Sequence, residues 1–501
     1  MLFLGIDVGS SSVKLSVLDG LSGKTLASCQ YPENELTIAS PAPGFAEQDP
    51  AIWWDCVKVG LSKLQTKVDI SSISAIGIAY QMHGLVVVDK QNHVLRPAII
   101  WCDSRAVPHG QAAFNALGSD YCYGHLLNSP GNFTAAKLRW IQQNEPTIYS
   151  QIHRMMLPGD YIALCLSGEI NTTASGLSEG TLWDFKQQGI ATGLLAHWDI
   201  NPNLLPTLVP NMGAQSTVSA KIAGELGLKP GTPITYRAGD QPNNAFSLNV
   251  LEPGEVAATA GTSGVIYAVT DQPATDINGR VNTFLHVSHQ SYAPRNGVLA
   301  CVNGTGRAYS WLRQILNIDQ NNGGNAPSYS ALNKLAEVTP IGAEGSCVLP
   351  FGNGAERLLQ NKNLGGHFSH IDHNRHQLGH MIRATQEGIA FALNKGFDVL
   401  NSIGVPCNTI KAGKSNLFLS PLFAEAFANT TGATIELYNT DGAEGAARAA
   451  AMGAGFYKTS KEAFTHLSVL ETITPTAEKA AQYHAAYQRW DAELNQQLDN
   501  I

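Results

Sequence analysis

Asp240 stands between a glycine and a Gln-Pro-Asn-Asn cluster in ITYRAGDQPNNAFSLNV, where a strand-like apolar run stops before another resumes. A carboxylate at a strand end can accept a proton from a substrate hydroxyl. The composition predicts a loop there. Small-residue turns elsewhere offer what a phosphate needs. IDVGSSSVK turns through Gly9, Ser10, Ser11 and Ser12 before Lys14, and backbone N–H groups in such a turn converge on one point. Asp7, at the end of the preceding run, could orient Mg²⁺ directly or through water. An ordinary hairpin with an exposed Asp fits the same residues. TAGTSGVIYAV repeats the device with Gly261, Thr262 and Ser263, where backbone can approach a ligand closely. Ala412 to Ser415, in IKAGKSNLF, precedes a helix and suits either the flat face of an adenine or a plain strand-to-helix loop. YQMHG places Gln81, Met82 and His83 at a strand end, with hydrogen-bonding groups for hydroxyls and a thioether for a sugar's C–H face.

These residues need a scaffold. LFLGIDVG, SSVKLSVLD and TLASCQY read as three strands joined by tight turns. Residues 49 to 68 read as a helix, with Asp49 at the N-cap and Pro50 at the first helical position. ISAIGIAYQ is a buried strand, and GLVVVDK and VLRPAIIWCD continue the strands. Helices are expected over 133 to 145 and 153 to 168, the second broken or started at Pro158 and Gly159. The grammar restarts after residue 246. EVAATAGTSGVIYAV mirrors LGIDVGSSSVKLSVLD, which suggests duplicated domains with a cleft between them. Helices are expected at 306 to 317, about 378 to 404, 420 to 432 and 442 to 457. The last is rich in Ala and Gly, which permits close packing.

The chain has 501 residues, too many for one core. Charged residues make up 14 % and the net charge is −8, with scattered Lys and Arg, so neither a nucleic-acid footprint nor a polybasic membrane patch is present. No apolar run reaches transmembrane length, and the N-terminus reads as a strand rather than a signal peptide. Eight widely spaced cysteines suggest reduced thiols in a cytoplasm. HFSHIDHNRHQLGH repeats His367, His370, His373 and His376, with His380 beyond, but matches no tetrahedral zinc spacing and reads as a loop entering a helix.

In order along nearly the whole chain, these stretches resemble the FGGY family of carbohydrate kinases, most closely its xylulokinases. IDVGSSSVK is similar to the family's phosphate hairpin. YQMHG with RPAIIWCDSRA resembles its sugar strand, FTAAKLRWIQQN its first signature, LPFGNGAER its LPxxxGER stretch, and GHFSHI through HMIRATQEG its second signature. KAGKSN and DGAEGAARAAAMGAG resemble its adenosine-side motifs. The sequence departs from the family pattern at four places: Gln241 stands where xylulokinases carry Asn, His370 where the second signature has Gly, Gln386 where it has an apolar residue, and the adenine-side glycine run is reduced to Ala412-Gly413.

The resemblance implies an α/β protein of two ribonuclease-H-like, actin-like ATPase domains around a ligand cleft. Residues 1–245 would form the sugar domain and 246–501 the ATP domain. It implies ATP-dependent phosphorylation of a ketopentose, foremost D-xylulose to D-xylulose 5-phosphate, with ATP and Mg²⁺. Asp240 would be the base; Gln81, Met82, His83 and Gln241 would hold the sugar. Gly9, Ser10, Ser11, Ser12, Lys14, Gly261, Thr262 and Ser263 would hold phosphates. Gly306, Gly413, Lys414 and Asn416 would border the nucleotide, and Asp7 with Asp240 the metal. The partners are then a small sugar and ATP, with no nucleic acid or membrane, and a homodimer is compatible. The alternatives are a kinase for ribulose, glycerol or gluconate, or an actin- or chaperone-like ATPase module.

Overall fold

The computed structural model describes residues 1–317 and 325–501. Two mixed sheets dominate. The first runs Met212–Thr217, Pro233–Gly239, Ile73–Tyr80, Leu2–Val8, Val13–Asp19, Lys24–Tyr31. The second runs Asn282–Leu285, Asn296–Val302, Gly264–Thr270, Glu255–Ala260, Thr409–Gly413, Thr434–Tyr438, Val469–Ile473. In each, one strand opens an antiparallel meander on one side and pairs in parallel on the other: Leu2–Val8 with Ile73–Tyr80, and Glu255–Ala260 with Thr409–Gly413. The second sheet repeats a five-strand core of the first in order and direction. The sixth, antiparallel edge strand precedes its neighbour in the first sheet (Met212–Thr217) and follows it in the second (Val469–Ile473), and Asn282–Leu285 is added at the other edge. The duplication expected from the two hairpins is therefore present in the topology.

Leu2–Val8 is buried on both faces, and its period of two separates them. Leu4, Ile6 and Val8 join the core under the helix Pro50–Gln65, with Trp53, Val57 and Leu61. That helix begins as its sequence predicts, with the Asp49 carboxylate accepting from Ala51 N–H at 3.0 Å. Phe3 lies on the opposite face, in a core built from the Ala-rich helix Gly442–Gly453. This helix lies in sequence between two strands of the second sheet, Thr434–Tyr438 and Val469–Ile473, yet packs on the first. Gly5 and Gly77 allow it: a Cβ there would lie 1.8 Å from Ala443 O and 2.1 Å from Ala446 O. Thr235 Oγ1 also donates to Ala450 O at 2.8 Å.

Several local expectations change. Over 153 to 168, Arg154–Met156 is a strand and the helix is Pro158–Ser167, since Pro158 takes the first helical position. GLVVVDK and the VLRPAIIWCD stretch contribute only the short strands Val86–Val88 and Ala98–Ile99, which pair outside the large sheets. The C-terminal helix Ala477–Asp499 was not anticipated. It packs in the second core with the long helix Leu378–Ser402. On the long helix, buried Gln386 is satisfied: its amide donates to Tyr309 and Asn333 and accepts from Ser420. The histidine run is spread over separate partners. His370 pairs with Glu493 at 2.9 Å, and His367 lies 3.0 Å from Leu364 O.

Replacing Gly5 by alanine should force the Gly442–Gly453 helix off its sheet. We expect a loss of roughly 2–4 kcal/mol in urea unfolding, against under about 0.5 kcal/mol for a surface control such as Gly224→Ala, whose surroundings are open.

Candidate active site

Strand Pro233–Gly239 runs directly into the helix Asp240–Ser247, so Asp240 is a first-turn helical residue and not part of a loop. A proline in the first turn lacks only an N–H that would have no helical partner, so Pro242 is tolerated there. The helix N-terminus also favours the negative charge of Asp240. Asn243 on this helix donates to Gly442 O at 2.9 Å. The two helices thereby bring the N-terminus of Gly442–Gly453 to the same place, where Asp441 caps it by accepting from Glu444 N–H at 2.9 Å.

Asp7 shares the Gly5 face of its strand and faces this junction. A Cβ on Gly442 would lie 2.2 Å from Asp7 Oδ2, so only glycine lets the helix end meet the carboxylate. Desolvation, then the Asp441 charge, pushes Asp7 up to about 6, with Lys14, its cross-strand neighbour, acting against them. Desolvation, then the Asp7 charge, pushes Asp240 up to about 7, partly offset by hydrogen bonds from Gln241. Acids thus crowd the cleft floor, each resisting ionisation of the next.

The first turn closes through Gly9 N–H to Ser12 O at 3.0 Å. Gln48 donates to Ser10 O at 2.7 Å, Trp101 to Ser10 Oγ at 3.3 Å and Gln30 to Ser12 Oγ at 3.0 Å; Ser11 is exposed. The second turn docks on the helix Thr305–Ile315. Gly306 N–H donates to Gly261 O at 2.9 Å and Arg307 N–H to Thr262 O at 3.1 Å; Ser263 completes this turn. A Cβ on Gly306 would sit 2.2 Å from Gly261 O, so Gly306 holds the turn against the helix. Asn416, at φ 52°, lies beside Gly261, which brings the third small-residue stretch, with Gly413, to the second turn. Lys414 Nζ is instead paired with Glu471 at 2.9 Å.

On the other side, His83 Nδ1 lies 2.9 Å from Glu179 O, and the ring packs edge-on against Phe133 at 4.9 Å and tilted against Phe284 at 5.4 Å. Burial, then the Lys137 charge, lowers His83 to about 3, so the ring is neutral. With Nδ1–H donated to the carbonyl, Nε2 is the free acceptor. Lys137 Nζ donates to His83 O at 2.7 Å and Ile100 O at 2.9 Å. Met82 is buried against Gly239, next to Asp240. Gln81 is turned away from this group: its amide donates to Gln48 Oε1 at 3.3 Å, behind the first turn. The second lobe closes over the group, since Leu285 N–H donates to Ser178 Oγ at 2.9 Å and Asn128 brackets Thr283.

Sequence reasoning missed Glu179, Lys137, Phe133 and Phe284 as neighbours of His83, and Asp441 with Gly442 as neighbours of Asp7. Phe133 and Lys137 lay inside the first signature and Asp441 inside DGAEG; Phe284 carried no signal.

The chain matches the N-terminal domain of the FGGY family of carbohydrate kinases over residues 2–247 and the C-terminal domain over 256–454. It is 28% identical over 489 residues to the xylulose kinase of Escherichia coli K12, covering 96% of each chain. The xylulose kinase of Rhodospirillum rubrum superposes with a TM-score of 0.86 at 26% identity, over 99% of each chain. A gluconate kinase from Lactobacillus acidophilus shares the fold, with a TM-score of 0.88 at 23% identity over 99% of this chain and 98% of its own. Two duplicated lobes with acids and small-residue turns at their junction define a carbohydrate kinase, and this chain belongs to the FGGY family. It is an ATP-dependent sugar kinase, with a sugar as the other substrate. Among the described residues, no helix is long and apolar enough to cross a membrane.

The raised acid at 240 has a thermodynamic signature. The fold disfavours its ionised form, so the penalty is absent below about pH 4 and complete above about pH 7. In metal- and nucleotide-free protein, Asp240→Asn should remove that slope. The variant should gain roughly 4 kcal/mol over the parent between pH 4 and 8, read from denaturant melts at each pH.

Proposed function

We propose that this kinase phosphorylates a ketopentose, D-xylulose before others, giving D-xylulose 5-phosphate. The observation that carries the reading is the contact of Met82 with Gly239, which sets the Met82–His83 strand end beside Asp240. The FGGY relatives named above as xylulose kinases support the choice of sugar. Residues 1–245 then make the sugar lobe and 246–501 the nucleotide lobe, with the Gly442–Gly453 helix reaching across. Eight free thiols support a cytoplasmic setting.

In this reading His83 Nε2 accepts from one sugar hydroxyl and Met82 covers a C–H face. Gln241 steadies the Asp240 carboxylate by hydrogen bonding. Asp240 takes the proton of the terminal hydroxyl as that oxygen bonds to the γ-phosphorus of ATP and the bond to the leaving ADP oxygen breaks. A sugar alkoxide is too basic to exist free, so the proton moves late. The turns at Gly9 to Ser12 and Gly261 to Ser263, with Lys14, steady the phosphates. Gly413 and Asn416 border the nucleoside, while Lys414 contributes to the loop through Glu471 and Gly306 by docking the second turn. Gln81 acts from behind the first turn through Gln48. Lobe closure keeps water from the γ-phosphate.

The metal fits the donor set. Asp7 and Asp240 offer hard, anionic oxygens close together, and no three-residue cage exists among the described residues. That combination suits Mg²⁺ held by one or two carboxylates together with phosphate oxygens. When bound, the ion neutralises charge on the phosphates.

A coupled ADP assay over D-xylulose, L-xylulose, D-ribulose, L-ribulose, gluconate and glycerol tests the reading. D-xylulose should give the highest kcat/KM, and Asp240→Asn should lower kcat by about 10²–10⁴. Sugar-dependent turnover by the folded variant at the parental rate would remove Asp240 from the mechanism.

A further inference from the structure

Glu179 closes the short helix Ala174–Glu179 and is 1% exposed. Neither of its carboxyl oxygens makes a well-formed hydrogen bond within the protein. A buried polar group without a partner costs folding free energy and calls for a reason. Its surroundings supply one. Oε2 lies 4.0 Å from His83 Nδ1. A Cβ on Gly239 would be 2.8 Å from the same oxygen and 2.6 Å from Met82 Cγ. The carboxyl therefore stands where the strand end bearing Met82 and His83 meets the residue preceding Asp240. Its own backbone carbonyl already receives the His83 Nδ1–H. The Tyr80 hydroxyl and the His83 backbone N–H approach this carboxyl without closing a well-formed hydrogen bond, and the Asp240 and Asp160 carboxyls add like charge.

We propose that Glu179 is a further sugar-binding residue: its carboxyl hydrogen-bonds a substrate hydroxyl beside the Met82–His83 strand end and so selects which hydroxyl pattern the kinase accepts. The inference rests on the sugar-side geometry of the proposed function but not on the identity of the sugar. A carboxyl suits this task because its two oxygens can serve one hydroxyl as acceptor or as donor. Met82 and the aromatic walls provide shape without reading hydroxyls, whereas an unpaired buried carboxyl strongly penalises a substrate that lacks the matching group.

The experiment pairs protein variants with substrate analogues. The sugar that wild-type enzyme prefers is compared with its analogues each lacking one hydroxyl, for wild type, Glu179→Ala, Glu179→Gln and Tyr80→Phe. In wild type, one analogue should lose about 10–100-fold in kcat/KM. Glu179→Ala should lose a similar factor on the parent sugar and nothing more on that analogue, while the KM for ATP stays the same. Glu179→Gln, which keeps both hydrogen-bonding abilities, should stay within about threefold of wild type on the parent sugar. Tyr80→Phe should keep the wild-type ranking of analogues. Should the alanine variant fail to fold, Glu179→Asp, shorter by one methylene, carries the same comparison. The proposal is overturned if every analogue loses the same factor in wild type and in the Glu179 variants, or if wild type does not discriminate among the analogues. Inactivity on all ketoses, with turnover of another sugar, would instead overturn the substrate reading and leave the analogue series to be run on that sugar.

Discussion

A backbone-on-backbone contact governs this molecule. The Ala-rich helix Gly442–Gly453 lies on the first sheet at Gly5 and Gly77, closer than any side chain would allow. Buried alanines give the helix a smooth face, and the glycines remove the strands' own Cβ atoms. The approach sets the depth of the cleft floor. Because Asp7 shares the face of Gly5, the same seating presses Gly442 against its carboxylate and carries Asp441 to within its field. A helix that connects two strands of the second sheet thus completes a site on the first.

The electrostatics follow from that seating. Asp7 and Asp240 arrive from the ends of two strands separated by Ile73–Tyr80, and both are drawn out of water where Asp441 adds like charge. Such a floor is costly to ionise without a cation, which fits the Mg²⁺ site proposed above. The wall around His83 obeys the opposite rule. His83 is stripped of charge by burial and Lys137 is lowered to about 7 chiefly by burial, so that wall presents neutral or weakly charged groups beside an acidic floor. In the proposed function, hydroxyls are read there without competing with the phosphates for charge.

Local signals were legible where one segment decides the outcome. The Asp49–Pro50 start, the two Gly/Ser hairpins and the long helix Leu378–Ser402 follow from caps, turns and periodicity within a few residues. QPNNAF misled because Pro and Asn are weak helix formers; tertiary contact through Asn243 to Gly442 O overrides that preference. Residues 153 to 168 misled because an apolar run does not reveal that Arg154–Met156 pairs with Val86–Val88. Gln81 looked like a sugar residue because it adjoins Met82 and His83, but the chain leaves the strand after Tyr80 and turns at Met82 and His83, the latter at φ 61°, which sends neighbouring side chains to different places.

The sequence by itself determined the duplicated αβ grammar, the two small-residue turns and the presence of an acid at the end of a strand in each of Asp7 and Asp240. These depend on backbone freedom and hydrophobic periodicity, which are local properties. Only the tertiary structure decided that Asp441 and Gly442 meet Asp7, that Phe284 of one lobe covers His83 of the other, and that Glu179 sits unpaired beside Met82. Those outcomes depend on how closely distant backbones can approach, and no single segment carries that information.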